Sequence, residues 1–287
     1  MARERAGAKM KASKIARILL IALSALFILP ILLTLAASLM TQGEVLRRFG
    51  AVDPGIGQTT GASLIPDAVS LRQFFSLLVE NERYISMFWT SLKYSAVITA
   101  VSNLVAIPAA FVFAKIRFRF SETLFMLYLI TMMMPFSVTL LPNYLMLNQM
   151  GLLNTVWAVI LPSCFAPFGV FLLRQFMRGV DDELIEAARL ETESYFRLMR
   201  HVILPEVKMG LLAMNILVFA ECWNMVELPR LFLKDPADMP LSVTLNTLMS
   251  QDMSVAFAGS VFYMAPIILI YLFFSKEIVS GLEQYKW

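Results

Sequence analysis

Histidine is almost missing from this sequence: among 287 residues only His201 carries an imidazole. That excludes a metal site built on a histidine cluster, and it argues against a membrane-face enzyme assembled from clustered His, Asp and Ser. There are two cysteines, Cys164 and Cys222, each in an apolar stretch and without C-x-x-C spacing. They read as packing residues, and neither a disulfide nor a redox compartment follows from them. No G-x-x-x-x-G-K-[ST] run occurs, so the chain has no P-loop with which to hold ATP. Charge is sparse as well. Asp, Glu, Lys and Arg make up 16% of the residues, and they leave several apolar runs of the roughly 20 residues that a membrane span needs. A soluble core is excluded on that ground, and a net charge of +3 does not point to nucleic acid.

What is present is apolar bulk: 59% of residues are hydrophobic, and the mean hydropathy is +0.70. The nineteen methionines, Met132, Met133 and Met134 among them, read as adaptable packing rather than copper ligands. The fold class expected is an all-α polytopic membrane protein with six transmembrane helices, at about residues 18–39, 87–114, 123–142, 152–173, 209–228 and 256–274. A basic N-terminus, 1–17, precedes the first span, whose apolar run is too long for a signal-peptide core and lacks a small-residue cleavage site. Residues 40–86 form an external loop with a glycine-rich centre, 50–63. A short interfacial helix is expected over 70–82, through Leu71, Phe74, Phe75 and Leu78. The membrane core then covers 87–282, and 283–287 is a tail. Prolines at 108, 135, 162, 167 and 266 are placed to kink spans that move. With both termini inside, the inner segments hold 17 of the 24 Lys and Arg. The positive-inside rule therefore puts the termini and residues 181–205 in the cytoplasm of a cell membrane.

Residues 181–205, DDELIEAARLETESYFRLMRHVILP, are a charged island between the fourth and fifth spans. Nine Asp, Glu and Arg fall in 25 positions. In lipid each central charge costs roughly 2.5–3.5 kcal/mol even on the lenient scale, so the segment belongs in water against a membrane face. Asp181 and Asp182 suit a helix N-terminus. Leu184, Ala187 and Ala188 give that helix a small apolar face. Ser194 suits the cap of a second short helix with Phe196, Met199 and Ile203 on its apolar side. Pro205 is placed to open the next helix at its first position. The expectation is two short amphipathic helices joined by a bend, with Glu186 and Glu191 presented beside them. A surface pair between Glu186 and Arg189 is the bland alternative.

These residues carry a resemblance. Glu186-Ala187-Ala188, two residues, Glu191-Thr192-Glu193, eight residues and Val202-Ile203-Leu204-Pro205 resemble the EAA loop of importer-type ABC permeases. That family's pattern has Asp-Gly-Ala where this chain has Glu191-Thr192-Glu193. Further likenesses are Trp89-Thr90-Ser91-Leu92 at the start of the second span, Pro142-Asn143-Tyr144, the turn Gly151-Leu152-Leu153-Asn154-Thr155, Pro167-Phe168, Leu173-Arg174 and Trp223-Asn224. Together they cover about 85–282 and are most similar to the maltose-type carbohydrate group. The resemblance implies a second unlike permease, two cytoplasmic ATPase subunits carrying ATP and Mg, and an extracytoplasmic solute-binding protein. It implies no cofactor on this chain, and it implies that Glu186, Ala187, Ala188, Glu191, Thr192 and Pro205 couple the ATPases to the spans.

Glu221, Trp223, Asn224 and Glu227 are substrate-pathway candidates, because ionisable residues in a span are functional candidates by default. The competing reading sends Glu227 to the outer headgroups and makes Trp223 an interfacial anchor. A secondary transporter or channel would call for ionisable residues along several spans or an inverted repeat, neither of which is evident. An ABC permease for a peptide or a phosphorylated compound stays open.

Overall fold

A computed structural model describes residues 2–50 and 64–284, with the side chains of 2–16, 82, 246, 250 and 278–284 left aside. The glycine-rich centre expected at 50–63 falls, beyond Gly50, outside the described residues, as does the tail beyond Gln284. In order the helices are α1 (Ala2–Ser38), α2 (Gln42–Phe49), α3 (Arg72–Phe75, continued by a π turn Ser76–Glu80), α4 (Glu82–Lys115), α5 (Ser121–Met132), α6 (Phe136–Gln149), α7 (Trp157–Ser163) and α8 (Pro167–Arg178). Then come α9 (Asp182–Glu191), α10 (Tyr195–Leu198, continued by a π turn Met199–Ile203), α11 (Leu204–Glu206), α12 (Lys208–Trp223), α13 (Glu227–Phe232), α14 (Leu241–Gln251) and α15 (Met253–Gln284). Among the described residues four helical stretches are long and apolar enough to cross a membrane, and up to six if each of two bent pairs counts as one span.

The chain divides into two compact units. The first holds residues up to Glu82 together with Leu245–Met264. Its core is Ala37, Met40 and Val45, with Phe49, Met253 and Phe257 packed on them. Gln73 is buried and donates to the carbonyls of Ser38 and Met40 at 2.7 and 2.8 Å. The helix expected over 70–82 forms, but Gln73 and Leu77 face inward while Leu71 and Phe75 stay exposed. Glu44 is buried and pairs with Arg48 at 3.0 Å, and Arg48 also reaches Asp67 at 2.7 Å.

The second unit holds Arg83–Thr244 and the chain from Ala265. Its core runs through Ile98, Ala106 and Ala110 of α4, Val170, Leu173 and Met177 of α8, and Met214 and Val218 of α12. Two glycines lie in the α8–α12 contact, and Gly210 is the more demanding because the Phe176 ring has less freedom to move than the end of Met214. A Cβ on Gly210 would lie 2.5 Å from the Phe176 ring, and one on Gly169 would lie 2.8 Å from Met214 Cε. Small residues let helix backbones approach this closely in membranes.

Three of the expected spans are interrupted. The third is not one helix over 123–142: α5 ends at Met132, and α6 leaves at 97°. The fourth lies later than 152–173, at Trp157–Arg178, and residues 164–166 interrupt it. The fifth ends at Trp223, not 228. The breaks share one feature: each is followed by a proline at or near the start of the next helix. Pro135 is the N-cap of α6, Pro167 opens α8, and Pro229 sits in the first turn of α13. Proline removes an amide donor and disfavours helical φ/ψ in the residue before it; accordingly Ala166 adopts φ −111°, ψ 76°.

Candidate functional site

The polar hairpin α9–α11 is built largely as its sequence dictates. Ser194 caps α10, its Oγ accepting from the Arg197 amide at 3.4 Å. Asp181 takes the N-cap position of α9 in extended conformation, though its side chain makes no capping bond. Between the two helices Thr192 is extended at φ −149°, and the Ser194 amide donates to Thr192 Oγ1 at 3.3 Å. The bend therefore uses no positive φ and works without the glycine of the family pattern. Pro205 does not open the fifth span. It lies in the single turn α11, and the chain then bends by 84° before α12.

The buried face of the hairpin matches the expected one in part. Ala188, Met199 and Ile203 pack into the core as expected, and Ile185 and Leu198 join them there. Leu184, Ala187 and Phe196 are exposed instead, and Leu190 is 90% exposed. Glu186, Glu191 and Pro205 are exposed too, whereas Thr192 is half-buried. No ion pair joins Glu186 to Arg189 among the described residues. Arg189 turns to Tyr195, donating to its hydroxyl at 2.6 Å with its guanidinium 5.0 Å from the ring centre. The outward surface thus carries Glu186 and Glu191 with uncovered apolar side chains between them. Leu190 was missed by sequence reasoning, although an apolar residue out of phase with Ile185 and Ala188 was the available signal.

Two cations fasten neighbouring elements together. Lys115, at the end of α4, donates to the Val180 carbonyl at 2.6 Å and to Asp182 Oδ1 at 2.7 Å. The hydrogen bond and charge of Lys115 hold the Asp182 carboxyl below the usual carboxylate range, helped by the charge of Arg117. Arg174 on α8 is buried, donating from Nε to the Phe113 carbonyl at 3.0 Å and from Nη2 to Glu122 at 2.6 Å. Its guanidinium lies 3.7 Å from the centre of the Phe125 ring. His201 makes a local contact, its Nδ1 lying 3.1 Å from the Arg197 carbonyl.

Away from the hairpin, a cleft of about 1250 Å³ opens in the second unit. Residues from all three helix breaks line it: Met134 from the α5–α6 break, Phe165 and Ala166 from α7–α8, and Asn224, Met225 and Val226 from α12–α13. Irregular backbone at membrane depth is tolerated only where it is buried in protein or lines a water-filled cavity. Discontinuous helices are also where membrane transporters place their solute sites. Each break frees amides and carbonyls that an uninterrupted helix would consume. Side chains add Thr139, Asn143, Ser163, Glu221, Asn224 and Glu227 as polar groups among methionine, phenylalanine and proline.

Three of the four pathway candidates, Glu221, Asn224 and Glu227, are therefore brought together on one wall. Trp223 is not. It is fully buried, stacked on Phe219 at 6.0 Å between ring centres and edge-on to Phe88 at 5.5 Å, so it is neither a cleft residue nor an interfacial anchor. Asn143 and Ser163 were missed as cleft residues; the signal available was a polar group inside an apolar span.

Comparison with known proteins decides the family. The model of the binding-protein-dependent transport system inner membrane component matches residues 102–282. The chain belongs to that family. It is 31% identical over 227 residues to the arabinooligosaccharides transport system permease protein AraQ of Halalkalibacterium halodurans, covering 77% of this chain and 81% of that one. The lactose transport system permease protein LacG of Rhizobium radiobacter is 26% identical, over 68% of this chain and 73% of its own. The sn-glycerol-3-phosphate transport system permease protein UgpE of Brucella abortus is likewise 26% identical, over 89% and 90%. Among solved structures, the crystal structure of a bacterial ABC transporter involved in the import of the acidic polysaccharide alginate shares the fold, with a TM-score of 0.76 at 18% identity over 92% of this chain and 95% of that one. This family member is a multi-pass membrane protein with the architecture of an importer permease.

Proposed function

We propose that this permease forms one half of the translocation pathway of an ATP-driven importer for a carbohydrate, and that the cleft is its share of the solute path. The convergence of three helix breaks on one largely apolar cleft with a few polar groups carries the reading, since it offers backbone hydrogen-bonding groups that a bundle of unbroken spans would consume within its helices. A polyhydroxylated solute suits that lining, and the names of the arabinooligosaccharide and lactose permeases agree with it. The glycerol-phosphate relatives favour a second reading, in which the solute is a phosphorylated small molecule.

In this proposal the hairpin lies in the cytoplasm with both termini (1–17 and 283–287), while 40–86 lies outside beneath a solute-binding protein and 87–282 forms the permease core. Glu186, Ala187, Ala188, Glu191, Thr192 and Pro205 belong to the segment that meets a separate ATPase, which holds ATP and Mg. A second, unlike permease completes the path. Closure of the ATPase pair draws the two hairpins together and rotates the spans. The test is a mild-detergent pull-down of this chain from its native membrane, followed by mass spectrometry. A P-loop ATPase and a second permease are expected alongside it; recovery of the chain alone, even after crosslinking through residue 186, would overturn the reading.

A further inference from the structure

The charge of the cleft wall has a direct consequence for the kind of carbohydrate that fits. Glu221 and Glu227 both line the cleft, and both are exposed to it. No Lys or Arg is among the lining residues described. Arg230, one turn beyond Glu227, stands outside the lining, and Arg174 is committed to Glu122 and Phe113.

Backbone dipoles do not reverse this sign. The long helices that reach the cleft present three C-terminal ends, of α5 at Met132, α6 beside Met150 and α12 near Cys222, and two N-terminal ends, of α6 at Phe136 and α8 at Pro167. Each end carries about half an elementary charge, negative at a C-terminus and positive at an N-terminus, so the ends leave a small negative excess of the same sign as the carboxylates. The two carboxylates set the field. Low-dielectric walls focus such a field and concentrate ions of the opposite sign.

We propose that this cleft admits neutral or cationic carbohydrates, such as oligosaccharides and amino sugars, and disfavours anionic ones, with Glu221 and Glu227 as the residues that impose the preference. Hydroxyl groups of a neutral sugar donate charge-assisted hydrogen bonds to the carboxylates, and an ammonium group pairs with them. A phosphate or uronate meets like charge and finds no guanidinium or ammonium on this wall. The proposal rests on the cleft lying on the solute path. It separates the two readings above, because a phosphorylated solute would have to be held entirely by the other permease.

The charge of the wall can be read without knowing the solute. In the assembled complex, Ser163→Cys is introduced with Cys164→Ser and Cys222→Ser, and the new thiol is reacted with cationic and anionic methanethiosulfonates of equal size. The rates are measured in nucleotide-free and vanadate-trapped states and normalised to a free thiol in solution. The cationic reagent is expected to be favoured at least about tenfold, and Glu221→Gln with Glu227→Gln should bring the ratio close to that of the free thiol. A ratio already at the free-thiol value in the parent, or one unchanged by the two glutamines, overturns the proposal and leaves the solute path intact. A thiol that reacts with neither reagent in either state removes the cleft from the solute path, and the proposal falls with it.

Discussion

Lys115 Nζ sits 2.6 Å from the Val180 carbonyl and 2.7 Å from the Asp182 carboxylate, so one ammonium joins the last turn of α4 to the first turn of the hairpin. Its side chain is 8% exposed while that of Asp182 is 71% exposed, which makes Lys115 the fixed member and the hairpin the element that it holds. The contact ties α9 to a long span, beside the packing of Ile185 and Ala188 into the core.

Lys115→Met should therefore loosen α9. Amide hydrogen exchange across 182–191 is expected to rise severalfold without loss of the spans. The pH dependence has a definite sign. Because Lys115 holds the Asp182 carboxyl below its ordinary range, the tie is complete at neutral pH and is lost as pH falls through that lowered value. In the parent, the protection factors across 182–191, with the intrinsic pH dependence of amide exchange divided out, should fall on acidification through that range, and in Lys115→Met the step should be absent. An acid step that survives the substitution would assign it to another group.

The uncovered apolar side chains of the hairpin bear on the proposed docking of an ATPase. Leu190 is 90% exposed beside Glu186 and Glu191, and burying a leucine contributes about 1.5–3 kcal/mol. Leu190→Ser should weaken ATPase association by roughly tenfold or more, measured as retention of the ATPase during purification. Glu186→Ala should reduce coupled ATP hydrolysis while leaving membrane insertion unchanged. Unaltered retention and coupling in both variants would remove the outward face of α9 from the interface.

Much of this architecture was legible in the sequence, and the failures have physical reasons. The spans follow from apolar length, and Ser194 is recognisable as a cap because its hydroxyl can satisfy an amide that the helix start leaves free. The phase of α9 was not legible. Leu184 with Ala187 and Ile185 with Ala188 both form apolar i, i+3 pairs, and only the core decides which one is buried. The breaks were half-legible. Pro108, Pro142, Pro162 and Pro266 remain inside helices, whereas Pro135, Pro167 and Pro229 follow interruptions. Proline alone does not distinguish the two sets. Residues of all three interruptions line the cleft, and a linear pattern does not contain that cleft.

The turn between α6 and α7 offers a simple test of backbone conformation. Gly151 has φ +67° and Asn154 has φ +60°, both positive, at the glycine and asparagine of the resembling turn. Nothing lies within 4 Å of a Cβ built on Gly151, so the cost of Gly151→Ala is conformational alone, about 1–2 kcal/mol. A lowered melting temperature in detergent is expected, with Asn154→Gly close to neutral. Full stability of Gly151→Ala would mean that the turn can adopt negative φ at no cost.

Arg174 makes a different demand. Its planar fork reaches the Phe113 carbonyl and Glu122 together while lying on Phe125. A lysine offers a single point of donation and stacks less well. Arg174→Lys should lose about 1–3 kcal/mol of stability, the range of a charged hydrogen bond plus part of a cation–π contact. Equal melting temperatures for the parent and the lysine variant would show that charge alone suffices there.

Trp223 and Asn224 are neighbours with opposite fates, and substitution separates them. The helical step between adjacent residues turns side chains by about 100°, sending Trp223 against Phe219 and Phe88 and placing Asn224 in the cleft. Trp223→Ala should open a cavity and cost about 3–5 kcal/mol, seen as a large drop in melting temperature and weaker assembly. Asn224→Ala should lower the melting temperature only slightly, because its side chain is exposed and the hydrogen bond it donates to the Ala220 carbonyl at 2.8 Å is local to the end of α12. Its effect should appear in transport, as a raised KM for the solute, if the amide binds solute before the rate-limiting rearrangement. A transport defect in Trp223→Ala with unchanged stability would place the indole on the path after all, and an Asn224→Ala variant with parental transport kinetics would take that amide off it.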